Sequence, residues 1–278
     1  MQKTAIITGG TAGLGYCSAL RAAEEGFDVI IASRNETQGG IAKSDIQKKF
    51  PQVEIKFLAL DLSDAESIES FTRRIKQPWD LLLNNAGAKI QKPFKTTKQG
   101  HEWHIGVNHL GHFALTAKLW PLAKEGATVT TVTSIVARKG HANFSNTEEN
   151  FNERQAYADS KFLNLAFASE LAHRLEGTSR KSTLAHPGFA KANPYGNSAV
   201  RFAENIAAQS AWRGSEPIWA ATSAANGKFL VPNVLELWGK PREVQVPNLD
   251  KENLNEIWRE SEKLTGVRFS PRQNFGDE

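Results

Sequence analysis

One cysteine, Cys17, is all that the 278 residues contain. No disulfide can close within the chain and no cysteine cluster can hold a metal, which suits a reducing compartment. Long apolar runs are missing as well. Nothing approaches the roughly 18 apolar residues of a membrane span, and a strand-like run begins at Thr4 without the pattern of a signal peptide. The expectation is a cytoplasmic protein with no membrane partner. Blocks of one charge are also absent. The formal net charge is +4, but Lys and Arg are scattered and do not interleave with aromatics, so no nucleic-acid partner is expected. No linker, low-complexity stretch or fixed repeat interrupts the chain.

What is present is ordinary for a globular protein, with 40% apolar and 23% charged residues. Short apolar runs alternate with helix-like stretches from one end to the other. Strand-like segments fall near residues 5–8, 29–32, 53–60, 80–83, 127–133, 182–185 and 229–231. Helical patterns fall near 14–25, 38–50, 65–76, the stretch before 122, and 155–175. Repeated strand–helix–strand units with fully apolar strands predict a parallel sheet with helices on both faces, in one α/β domain. The tail from Gly239 is more polar, yet Leu254, Ile257, Trp258 and Leu264 share one helical face and predict a docked amphipathic helix.

Between the first strand and the first helix lies Thr8-Gly9-Gly10-Thr11-Ala12-Gly13-Leu14-Gly15. Gly9 can adopt angles closed to other residues, Gly13 lets an anion approach the main chain, and Gly15 lets the helix press on the sheet. The helix N-terminus offers free N–H groups and partial positive charge. A plain tight turn is the bland alternative. The flanking strand and helix favour a dinucleotide phosphate site. The second strand ends in Ser33-Arg34 with no carboxylate placed to grip a ribose 2′-hydroxyl, so NADP(H) is favoured over NAD(H).

Far downstream, Tyr157 and Lys161 form a Y-x-x-x-K pair. On a helix these positions face the same way, and a lysine there can lower the phenol's pKa toward use as a proton donor. A buried aromatic beside a surface lysine is the alternative for any single such pair. With the glycine turn, the pair points to hydride-transfer chemistry. Asn108 sits within a predicted helix, where asparagine is a poor choice without a special task, packing or kinking being the other reading.

Thr8 to Gly15, Asn84-Asn85-Ala86-Gly87, Asn108, Ser134, Tyr157, Lys161 and Pro187-Gly188, in that order, resemble the short-chain dehydrogenase/reductase family. Val107-Asn108-His109-Leu110-Gly111-His112-Phe113 and the step from Ser134 to Tyr157 are similar to its retinol-dehydrogenase-like branch, and a soluble member without the membrane anchor that some of that branch carry is expected. The resemblance implies a Rossmann-type, three-layer, doubly wound sheet of about seven parallel strands. It implies one domain over residues 1–278, with 189–225 covering the substrate and 240–278 as a docked C-terminal tail.

It implies that Thr8, Gly9, Thr11, Ala12, Gly13, Leu14, Gly15, Ser33, Arg34, Asp61, Leu62, Asn85, Ala86, Gly87, Pro187 and Gly188 line the cofactor together with Tyr157 and Lys161. Tyr157 would be the proton donor and acceptor, Lys161 would bind the nicotinamide ribose, and Asn108 would hold a relay water. Ser134, Tyr157 and Phe189 would meet a small carbonyl or alcohol substrate, and no metal is expected. Family habit suggests a homodimer or homotetramer. Ala192 stands where the family usually has a threonine for the nicotinamide amide, with Asn193 as a substitute. Tyr195, Phe202, Trp212 and Trp219 in the covering segment suggest an apolar or aromatic substrate, or mere packing of that segment. The rival reading is a non-catalytic NADP-binding regulator, which would not need the intact Asn108, Ser134, Tyr157, Lys161 set.

Overall fold

In the computed structural model, described residues are 2–90, 92–190, 208–247 and 249–272. Strands form where short β-branched and aliphatic runs leave no polar face: β1 (Lys3–Thr8), β2 (Phe27–Ser33), β3 (Ile55–Ala59), β4 (Trp79–Asn84), β5 (Ala123–Val132), β6 (Lys181–Ala185) and β7 (Phe229–Val234). An eighth, β8 (Trp238–Val244), follows a tight hairpin. The sheet order is β3-β2-β1-β4-β5-β6-β7-β8. Pairing is parallel as far as β7, and β7–β8 is antiparallel. Residues 240–244, expected as the start of a tail, therefore extend the sheet. As an edge strand β8 tolerates Pro241 and exposed polar residues, which is why it carries no apolar signature.

The helices are α1 (Gly13–Glu24), α2 (Glu36–Lys49), α3 (Ala65–Arg74), the single turn α4 (Trp103–Ile105), α5 (Gly111–Leu119), α6 (Glu153–Arg174), α7 (Ala211–Ser223) and α8 (Lys251–Thr265). One face of the sheet, including Ile7, Ile31 and Leu83, packs on small and branched residues of α1, α2 and α7 such as Ala19, Ala42 and Ile218. The other face, with Ile6, Leu82 and Val129, meets an aromatic cluster built on Phe113, Phe167 and Trp258. Trp258 comes from α8, whose Leu254 and Ile257 are also buried. Its ring centre lies 5.1 Å from that of Phe113 and 5.8 Å from that of Phe167.

Strand order reverses at β1, which pairs with β2 on one side and β4 on the other. The connections there diverge and leave a crevice at the strands' carboxyl ends. That crevice is where the singled-out residues converge.

Candidate active site

The glycine turn closes as its residue types require. Gly9 and Gly13 have φ of +68° and +55°, in the left-handed region. A Cβ on Gly15 would lie 2.3 Å from the Gly9 carbonyl and 2.5 Å from Asn85 Nδ2, so only glycine lets α1 start this close to β1 and β4. No side chain caps α1, and no acid occupies its first turn. By contrast, Asn35, Asp64, Asn152, Ser210 and Asp250 cap α2, α3, α6, α7 and α8. The N–H groups at the start of α1 are left for an anion. A dinucleotide phosphate fits this cradle.

Thr8 ties the turn to the loop after β4. Its hydroxyl accepts from the N–H of Asn85 and of Ala86, each at 2.9 Å. It also lies 3.0 Å from His112 Nε2. His112 Nδ1 faces the Asn108 carbonyl at 2.9 Å and must carry the proton, which leaves Nε2 to accept from Thr8. Burial lowers the His112 pKa to about 4, so the ring is neutral. His112 escaped the sequence reading, although its four-residue step from Asn108 puts the two on one helical face. Asn84 turns away from this loop and donates to Thr116 Oγ1 at 3.0 Å within the core.

At the other end of the crevice, Arg34 follows β2 and Asp61 and Leu62 follow β3. Thr11 and Ser33 hydroxyls meet at 3.3 Å. Asp61 is engaged locally, accepting from the N–H and hydroxyl of Ser63. Leu62 is buried under Gly111, whose Cβ would lie 2.5 Å from the Leu62 carbonyl.

Tyr157 and Lys161 share a face of α6, with the ammonium 5.9 Å from the phenol ring centre. Lys161 is buried, and Nζ donates to the Val132 carbonyl at 3.3 Å. Burial lowers its pKa to about 8. Burial also pushes the Tyr157 phenol up, and a hydrogen bond from Ser134 pulls it back in part. The expected lowering of the phenol's pKa is thus absent from the protein alone, because desolvation outweighs the Ser134 hydrogen bond. The Tyr157 ring packs edge-on against His104, with centres 6.2 Å apart. His104 is in turn held by Glu102 Oε1 at 2.6 Å from Nδ1 and by the Lys89 carbonyl at 3.0 Å from Nε2. Neither Glu102 nor His104 stood out in the sequence.

Asn108 lies in a π-helical turn, Gly106–Leu110, between α4 and α5. Such turns often mark functional sites. Its Oδ1 accepts from Ala88 N at 2.6 Å and its Nδ2 donates to Ser160 Oγ at 2.9 Å. It therefore clips the β4 loop to α6, next to Tyr157. Gly87 completes the contact: a Cβ there would lie 3.2 Å from Asn108 Oδ1 and 3.4 Å from Lys161 Nζ.

After β6, Gly188 has φ of +74° and Phe189 donates its N–H to the Leu237 carbonyl at 2.9 Å. Gln209 Nε2 donates to the Pro187 carbonyl at 2.9 Å. Ala192, Asn193, Tyr195 and Phe202 lie outside the described residues. Trp212 and Trp219, read either as facing a substrate or as mere packing, make packing contacts. Arg21 of α1 stacks on Trp212 at 3.9 Å, and Trp219 packs edge-on against Phe27 at 6.2 Å. Trp212 thus links α7 to α1, and Trp219 links it to β2. Among the described residues no group of three or more His, Cys, Asp or Glu could hold a metal, and no helix is long and apolar enough to cross a membrane.

A doubly wound parallel sheet with a phosphate cradle and a Ser–Tyr–Lys cluster at its switch point defines a class of nucleotide-dependent oxidoreductase folds. Comparison with known proteins narrows it. The short chain dehydrogenase family profile matches residues 3–198. Human retinol dehydrogenase 11 is 36% identical over 193 residues, covering 67% of this chain and 60% of its own length. Human retinol dehydrogenase 12 is 30% identical over 290 residues, covering 96% and 87%. Against the first of these relatives, and against human retinol dehydrogenase 14 at 62%, the match spans less than two thirds of the relative's length. A solved structure of an uncharacterised protein from Mycobacterium paratuberculosis superposes with a TM-score of 0.78 at 31% identity, covering 96% of this chain and 95% of that one. The chain belongs to the short-chain dehydrogenase/reductase family of oxidoreductases, in its retinol-dehydrogenase-like branch.

Proposed function

We propose that the protein is an NADP(H)-dependent oxidoreductase that interconverts a ketone or aldehyde and the matching alcohol, with Tyr157 as general acid and base. The observation that carries this reading is the cluster at the sheet's switch point. Ser134 lies close enough to Tyr157 to lower the phenol's pKa, while Lys161 lies buried one turn along, at the edge where α1 begins uncapped. In reduction, Ser134 and Tyr157 donate hydrogen bonds to the carbonyl oxygen, and Tyr157 gives it a proton as negative charge develops. The nicotinamide, when bound, supplies the hydride and, in its oxidised form, a positive charge. Lys161 holds a proton that burial has made easier to release near neutral pH. The clip from Asn108 to Ala88 and Ser160 fixes the loop against α6, so the reacting groups need no rearrangement. Similarity to proteins named retinol dehydrogenases supports an apolar alcohol or aldehyde as the substrate class. NADP(H) is favoured because Arg34 follows β2 where a carboxylate would otherwise stand.

The test is a panel of carbonyls and alcohols assayed with both cofactors, followed by Tyr157→Phe. The variant should lose on the order of 10²- to 10⁴-fold in kcat while keeping its affinity for NADPH. Full turnover in the variant removes Tyr157 as the acid.

A further inference from the structure

A second cation contacts the ring that Arg34 approaches. Trp103, the first residue of α4, is 7% exposed. The Arg34 guanidinium carbon lies 5.8 Å from its ring centre and Lys95 Nζ lies 3.6 Å from it. The two cations come from separate parts of the chain, the end of β2 and the loop after β4, and meet on one aromatic ring. Local pairing places Lys95 there: Trp103 N donates to the Lys95 carbonyl at 2.9 Å, and Thr96 bridges to Glu102. Glu102 caps α4 and so fixes the ring. The lysines three residues to either side each have a carboxylate, Lys92 with Glu153 and Lys98 with Asp64. Among the described residues neither Lys95 nor Arg34 forms such an ion pair.

Neither cation on this ring is matched by a carboxylate among the described residues, so both are available to an anion. A single guanidinium leaves a phosphomonoester of about −2 charge only half neutralised. The neighbouring Thr11 and Ser33 hydroxyls add neutral donors at the same strand edge.

We propose that Lys95, held on Trp103, is a second specificity-determining cation for the 2′-phosphate of the dinucleotide. This rests on the NADP(H) reading above and extends it to a residue of the β4 loop. Arg34 supplies a planar fork and Lys95 a point charge, while the indole keeps both from spreading into solvent.

The experiment measures binding of 2′,5′-ADP and of 5′-AMP by calorimetry to the full chain, comparing wild type with Lys95→Met and Arg34→Met. Lys95 is exposed, so its replacement leaves the fold intact. Lys95→Met should weaken 2′,5′-ADP about tenfold and 5′-AMP less than about twofold, a difference that shrinks at high salt. If Arg34→Met discriminates between the two probes but Lys95→Met does not, the inference fails and the NADP(H) reading stands. Equal weakening of both probes by Lys95→Met also overturns the inference. If neither variant discriminates, the NADP(H) reading itself is lost.

Discussion

The two edges of the sheet treat their polar groups in opposite ways. At the amino-terminal edge, polar groups are paired across the strands. Asp80 accepts from Thr4 N and Lys124 Nζ, each at 2.8 Å, Asp28 accepts from Glu54 N at 2.8 Å, and Arg180 donates to the Ala123 carbonyl at 3.0 Å. At the carboxyl edge, groups are left open or uncomfortable. The start of α1 has no side-chain cap. Lys161 is a buried amine. His186 is 3% exposed, and among the described residues neither ring nitrogen reaches a partner at full hydrogen-bond geometry. Leu235 and Glu236, with φ of 51° and 58°, are the non-glycine residues at positive φ among those described, and they form the β7–β8 turn at this edge. The difference is that polar groups are paired at one edge and left open at the other, at a cost in stability and in the place where the proposed chemistry would occur.

The largest expected effect comes from acid. Burial lowers the pKa of His109 to about 3 and those of His112 and His186 to about 4. An unfolded histidine takes up its proton near pH 6.5, well before these folded rings do. Their contribution is therefore complete above about pH 6.5 and is lost as pH falls toward 4, on the order of several kcal/mol in all. Urea midpoints measured from pH 7 down to 4.5 should fall steadily. A flat profile contradicts the buried neutral rings, and His186→Gln should make the slope shallower.

Lys161→Met separates stability from activity. Removing a buried amine should raise stability at pH 7 by about 2 kcal/mol, because Asn164 still donates to the Val132 carbonyl. Turnover should fall at least about a hundredfold. A lower melting temperature shows instead that the lysine is part of the scaffold. At the opposite edge, Asp80→Ala should cost about 1–2 kcal/mol in chemical denaturation with kcat unchanged; a changed kcat couples the two edges. The smallest effect is expected from Leu235→Asn, which suits the left-handed angle of an exposed turn residue. It should gain about 0.5–1 kcal/mol by thermal melting, and a loss implies that the Leu235 side chain has a task at the surface.

The sheet was legible because its strands are short apolar runs separated by glycine and helix-start chemistry, as in Ala5-Ile6-Ile7-Thr8 before Gly9. β8 was not, since a polar edge strand containing proline carries no periodic signal. Tyr157, Lys161 and the glycine turn stood out by type and spacing, while Ser134 and the role of Asn108 came only with the family resemblance. Their surroundings did not stand out. Glu102 and His104 are charged or polar residues buried by folding, and no one-dimensional pattern says that a helix cap will also support the phenol. Trp212 and Trp219 stayed ambiguous because an aromatic in a long connection reads alike whether it faces a ligand or another helix.

The sequence alone determined the alternating elements, the glycine turn and the Tyr157–Lys161 pair, because these depend on local backbone geometry and on side chains one helical turn apart. Only the tertiary structure decided the direction of the Tyr157 shift, the π-helical turn at Asn108 and the meeting of Arg34 with Lys95 on one indole. Desolvation and contact between distant segments exist only once the chain has closed around them.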